Sequence, residues 1–78
     1  MMIKIYGDFQ NSDRAGNIRL NSKGTREDLA LLGVDLEPNM EVLISDGELE
    51  VYGIVEFSIE EDIWVAKIDW GLVKDVGC

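Results

Sequence analysis

The chain contains no histidine, one proline (Pro38) and one cysteine, Cys78, which is its last residue. Without histidine, His-dependent triads and Cys–His nucleophiles have no base, and zinc sites lack their usual nitrogen ligand. A lone Cys78 cannot close an intrachain disulfide, and one free thiol fits a reducing cytoplasm. Basic residues are missing from a long stretch: between Glu27 and Ala66 stand twelve carboxylates and no Lys or Arg, while five of the seven basic residues fall in the first 26 positions. Sixteen Asp and Glu against seven Lys and Arg give a net charge of −9. Such a surface repels phosphate backbones and attracts basic proteins or cations, so nucleic acid is not the expected partner. No apolar run approaches the roughly 18 residues of a membrane span, which speaks against membrane insertion. The segment from Met1 to Gln10 has Lys4 and Asp8 inside its apolar stretch and no small-residue cleavage site, so no signal peptide is expected. The expectation is a soluble, cytoplasmic protein.

What is present is enough to fold. Hydrophobic residues make up 46% of the chain and two are Trp, which excludes a disordered acidic tail despite the charge. Seventy-eight residues form one domain, 1–78. A domain of this size buries only about 60% of its unfolded surface and gains from any further stabilising contact.

The clearest pattern lies between Met40 and Trp70. Met40, Val42 and Ile44 alternate with polar or outward residues, and Asp46-Gly47 then suits a two-residue type I′ turn. From Leu49 to Ile59 every odd residue is apolar or Gly, a period of two that predicts a long strand. After a turn at Glu60-Glu61, Trp64, Ala66, Ile68 and Trp70 share one parity of a further strand. These turns set Ile44 opposite Leu49, Val42 opposite Val51, Phe57 opposite Trp64 and Val55 opposite Ala66, all on one face. A one-residue slip would turn that apolar set to water. Gly53 falls opposite Met40 and Ile68, which predicts a bend or space for a neighbouring Trp. Phe57 and Trp64 are expected to be the central aromatic pair of the core.

Upstream, Ile3, Ile5, Gly7 and Phe9 alternate as an opening strand, a turn-rich loop runs from Gln10 to Gly16, and Ile18 and Leu20 mark a short second strand. Thr25 as N-cap with Asp28 three residues later predicts a helix of about two turns, with Leu29 and Leu32 on one face and Gly33 ending it. Pro38-Asn39 suits a turn before the third strand. The predicted fold class is mainly β with one short helix, in the order β-β-α-β-β-β, curled into a small antiparallel, partly open barrel that protects its edges.

Pro38-Asn39-Met40-Glu41-Val42 and Val51-Tyr52-Gly53-Ile54-Val55 resemble SH3-like barrels. Arg19-Leu20-Asn21, Gly24-Thr25, Glu27-Asp28-Leu29, Trp64-Val65-Ala66 and Ile68-Asp69-Trp70 resemble a set of small uncharacterised bacterial proteins. The first resemblance implies a fold, and the second implies no activity.

Three constellations are candidates for function. Lys23 and Arg26 flank Gly24 at the helix start, where free N–H groups favour an anion, and Arg14 and Arg19 extend the basic set; solvated basic residues beside a capped helix explain the same pattern. Glu60, Glu61 and Asp62, and separately Asp8, Asn11 and Asp13, have oxygen donors but match no calcium loop, so no metal or cofactor is expected. On the outward parity of the meander, Leu43, Tyr52, Ile54, Ile63 and Val65 form either a patch rimmed by Glu41, Glu50 and Glu56 or a surface covered by Leu31, Leu32 and Leu72-Val73. No catalytic residues are identified and an enzyme is not expected. The leading reading is a small binding or regulatory module acting through protein contacts, either with itself as a homodimer or with a basic protein. The runner-up is an SH3-like nucleic-acid or anion binder using Arg14, Arg19, Lys23 and Arg26.

Overall fold

The computed structural model describes residues 2–77, so Cys78 lies outside the described residues. Period-two segments become strands β1 (Ile3–Tyr6), β2 (Ile18–Arg19), β3 (Glu41–Ser45), β4 (Leu49–Ser58) and β5 (Ile63–Ile68). One helix, α1 (Lys23–Leu32), separates β2 from β3. After β5 come a 3-10 turn, Trp70–Leu72, and a further short strand β6 (Lys74–Asp75), which the sequence pattern did not reveal. Trp70 thus leaves the strand it was expected to end, because the Asp69 side chain accepts from Gly71 N–H and starts the turn.

The strands form one sheet in the order β1-β3-β4-β5-β2, with β6 paired to the start of β4. It is mixed, not purely antiparallel as expected: β1 runs parallel to β3, with Ile5 opposite Ile44. The chain between them contains α1, and such a crossover is what a parallel pair requires. Nor does the sheet close into a barrel. Its edges, β1 and β2, are each satisfied by something other than one another. On the β1 side, Tyr6 N–H donates to Asp28 Oδ2 at 2.8 Å and Thr25 Oγ1 donates to the Tyr6 carbonyl at 2.6 Å. On the β2 side, Arg19 N–H donates to the Asn11 carbonyl and Ser12 bridges Ile18. The edge-facing backbone groups of Tyr6 and the N–H of Arg19 are thereby occupied.

Thr25 and Asp28 therefore do not cap the helix as predicted. Ser22 is the N-cap, accepting from Thr25 N–H, and this frees Thr25, fully buried, and Asp28 to hold β1. Gly33 ends α1 as expected, in the left-handed region at φ 65°. Its N–H donates to Ala30 O and that of Val34 to Leu29 O, the paired bonds of a Schellman ending.

The β3–β4 hairpin keeps the predicted parity but shifts by two residues: Ile44 faces Val51, not Leu49, and Val42 faces Gly53, not Val51. Gly47 is at φ 97° whereas Glu48 is not at positive φ, so Gly47 takes the first central position of a type II′ turn and Asp46 precedes it. Asp46 Oδ1 accepts from Glu48 N–H and Leu49 N–H, fixing that choice. Because the shift is even, the same side chains stay inside. The β4–β5 register is as predicted, with Phe57 opposite Trp64 and Val55 opposite Ala66. Its connection is four residues long, with Asp62 at φ 58° and its N–H donating to Ser58 O.

Ile5, Ile18, Val42, Ile44, Val51, Val55 and Ala66 make the buried core, with Phe9 and Leu20 at its margin. A Cβ on Gly7 would collide with the Ile44 side chain, so glycine lets the chain leaving β1 lie against the core. Phe57 and Trp64 do pair edge to face at 5.1 Å. They are not central, however, since Phe57 is 42% exposed and Trp64 half-buried.

Candidate functional site

The side of the meander facing away from the core presents its residues in cross-strand rows. One row sets Glu41, Ile54 and Lys67 side by side on β3, β4 and β5. The next sets Lys4, Leu43 and Tyr52 across β1, β3 and β4. A third brings Glu56, Val65 and Arg19 together. Tyr52 is 62% exposed and Ile54 39% exposed, and together with Met2, Lys67 and Ile68 they line a recess of about 570 Å³.

Of the predicted interface residues, Tyr52 and Ile54 are therefore exposed and adjacent, and Leu43 is half-buried beside them. Val65 is 1% exposed and cannot meet a partner, which corrects its place in the set. Ile63 is half-buried and borders a different groove, described below. The helix does not roof this face: Leu31, Leu32 and Leu72 are themselves exposed.

The electrostatics also differ from the expectation of an acidic rim. Acidic Glu41, Glu50 and Glu56 are there, but each has basic company on the same face. Lys4 Nζ lies 3.7 Å from Glu50, Lys67 flanks Ile54 on the side opposite Glu41, and Arg19 sits in the row of Glu56. Positive residues from outside the acidic segment are delivered to it by β1, β2 and β5. Among the described residues neither Glu41 nor Lys67 takes part in an ion pair.

The predicted anion-binding residues do not converge on a vacant site. Arg19 forms a bidentate pair with Glu61, at 2.8 Å for both Nε and Nη2, and its Nη1 donates to Asn11 Oδ1. That hydrogen-bonded pairing holds the Glu61 carboxyl below the usual carboxylate range and raises the Arg19 guanidinium further above neutrality. Arg14 borders Glu60 and Glu61 at the end of the β4–β5 hairpin, whereas Arg26 donates to the Asn21 carbonyl at 3.0 Å. Lys23 is exposed at the first turn of α1. Gly24 has a structural reason, since a Cβ there would sit 2.7 Å from the Tyr6 ring. The helix start is a packing device for β1.

The loop carboxylates serve their own backbone. Asp8 Oδ1 accepts from Gln10 N–H, and Asp13 Oδ1 accepts from Ala15 and Asn17 N–H. Partial burial pushes the Asp13 carboxyl up, but the bonds from Asn17 and Ala15 outweigh it and hold the group below its ordinary value. Among the described residues no group of three or more Cys, Asp or Glu side chains is placed to hold a metal ion. No helix of the described residues is long and apolar enough to cross a membrane.

Compared with family models, curated proteins and solved structures, the chain matches none. The residues missed in the sequence were Glu41 and Lys67 as a pair flanking Ile54. The expected β3–β4 register set Glu41 opposite Tyr52, and a two-residue shift was enough to hide the row.

Proposed function

We propose that the protein is a small protein-binding module whose outer sheet face associates with a second copy of itself. The observation that carries this reading is the row Glu41, Ile54, Lys67, an exposed apolar side chain between opposite charges, beside exposed Tyr52. Such a row is self-complementary. A two-fold axis running along β4 above Ile54 sets Glu41 of each copy over Lys67 of the other and packs Ile54 against Ile54. The opposite charges of Glu41 and Lys67 offset, at the contact itself, part of the repulsion that a net charge of −9 imposes. A small domain gains stability from the added burial. The reading includes a cytoplasmic setting without enzymatic activity, and it rests on the outer face and not on the SH3-like resemblance.

An anion-binding role for Arg14, Arg19, Lys23 and Arg26 draws less support, because Arg19 is paired with Glu61 and Arg26 with a backbone carbonyl. Sedimentation equilibrium tests the proposal. The parent should show a mass that rises with concentration to a dimer, and Ile54→Lys should remain a folded monomer. A parent that stays monomeric up to its solubility limit would sink it.

A further inference from the structure

A second apolar surface shares no lining residue with the outer recess. It is an open groove of about 760 Å³ between the C-terminal half of α1, the connection that follows, and the end of the β4–β5 hairpin. Its apolar wall is the Phe57–Trp64 pair, which the core leaves partly uncovered. The helix side is low because Ala30 and Gly33 stand there, and a Cβ on Gly33 would meet nothing within 4 Å. Asp35 and Asp62 border the groove, both exposed and neither in an ion pair among the described residues. Arg26, its basic lining residue, is bonded to the Asn21 carbonyl.

We infer that this groove receives a basic amphipathic segment of another protein. Its apolar face would lie on Phe57 and Trp64, and its Lys or Arg residues would meet Asp35 and Asp62. The shape is that of a helix-in-groove site, in which a few apolar anchors fill a trough between polar rims. Charge selects the class of partner: carboxylates without counter-ions on a chain of net charge −9 attract a basic segment and steer its approach. A second copy is the wrong occupant, because it brings a further −9 and no basic row to this end of the molecule. The inference does not depend on self-association through the outer face, and the two fail separately.

The test is isothermal titration of the full chain with a synthetic amphipathic helix of leucines at helical spacing and lysines between them. A matched peptide with glutamate in place of lysine serves as its control. The expected result is saturable one-site binding of the lysine peptide that weakens with salt, and no binding of the glutamate peptide. Ala30→Phe fills the groove from an exposed helix position and should weaken binding roughly tenfold or more at unchanged melting temperature. Asp35→Asn with Asp62→Asn should weaken it too, and asparagine tolerates the positive φ of position 62. Glu48→Gln with Asp75→Asn, exposed beside the start of β4, outside the groove and outside the outer recess, should leave affinity unchanged. Several results would overturn the inference: no binding, equal binding of both peptides, affinity untouched by Ala30→Phe, or a loss in the remote pair as large as in the groove pair. A concentration-dependent mass abolished by Ala30→Phe would assign the groove to a second copy instead, and also overturn it.

Discussion

The two faces of the β3–β4–β5 meander follow the same alternation and end in opposite conditions. Inside, Val42, Ile44, Val51, Val55 and Ala66 meet one another and are sealed by β1, β2 and the Phe9–Leu20 margin. Outside, Tyr52 and Ile54 stand between charges of both signs and remain in water. An apolar side chain in a strand is thus not by itself a core residue. What decides is whether another element lies over it, and α1 does not cover the outer face because its side chains are committed to the edge of β1. Thr25 and Asp28 hold Tyr6, and Leu29 packs against the core.

The comparison breaks most easily at its inner side. Ile44→Ala removes a fully buried side chain and should cost about 2–5 kcal/mol, most of the stability of a small domain. Tyr52→Ala on the other face should change the stability of the monomer by less than about 0.5 kcal/mol. Paired denaturant titrations check both, and equal losses would mean that the faces had been misassigned.

Next in size is the helix that leaves the outer face open. Thr25→Val keeps the shape of a buried side chain but strips the Tyr6 carbonyl of its donor, at a cost of about 1–3 kcal/mol. Amide exchange should accelerate in β1 before it does in β4. Exchange rates raised uniformly would indicate that the helix is not a separate latch on this edge.

The Phe57–Trp64 pair sits at the rim, so Trp64→Ala should cost about 1–2 kcal/mol, less than truncation of a buried core aromatic. Thermal melting that showed complete unfolding would return this pair to the centre of the core. Smallest is the effect of the Arg19–Glu61 pair, which is only half-buried and stays open to solvent. The Glu61 carboxyl is held below its unfolded value, so its stabilising contribution is complete above the ordinary carboxylate range and is lost as pH falls through the folded pKa. Arg19 is shifted the other way, far above neutral pH, and stays charged throughout. Glu61→Gln should therefore differ slightly from the parent at neutral pH and merge with it only once pH has fallen below the lowered folded pKa. A difference that widened in acid would contradict the pairing.

The sequence carried the parity of these strands, the β4–β5 register and the Gly33 helix stop. Each depends on local chemistry: period two, a turn of fitting length, a residue free to adopt positive φ. Hidden were the features set by distant partners. Thr25 and Asp28 look like a capping box, and only the approach of Tyr6 shows that they hold a strand. The parallel pairing of β1 and the short β6 depend on where the chain returns, which no window of sequence contains. At the site, Tyr52 and Ile54 were legible as outward apolar residues. Val65 was not legible as buried, because it shares their parity, and Glu41 was misplaced by the turn that Asp46 and Gly47 form.

The central claim is that opposite charges flanking Ile54 make the outer face self-complementary. It is tested most directly by a charge-swap cycle followed by sedimentation. Glu41→Lys and Lys67→Glu, each alone, should weaken the dimer, since each sets like charges against each other across the two-fold axis. The double variant, carrying both swaps, should restore the parent's affinity at the same net charge. Losses that simply add in the double variant, or single swaps without effect, would show that the row does not form the interface.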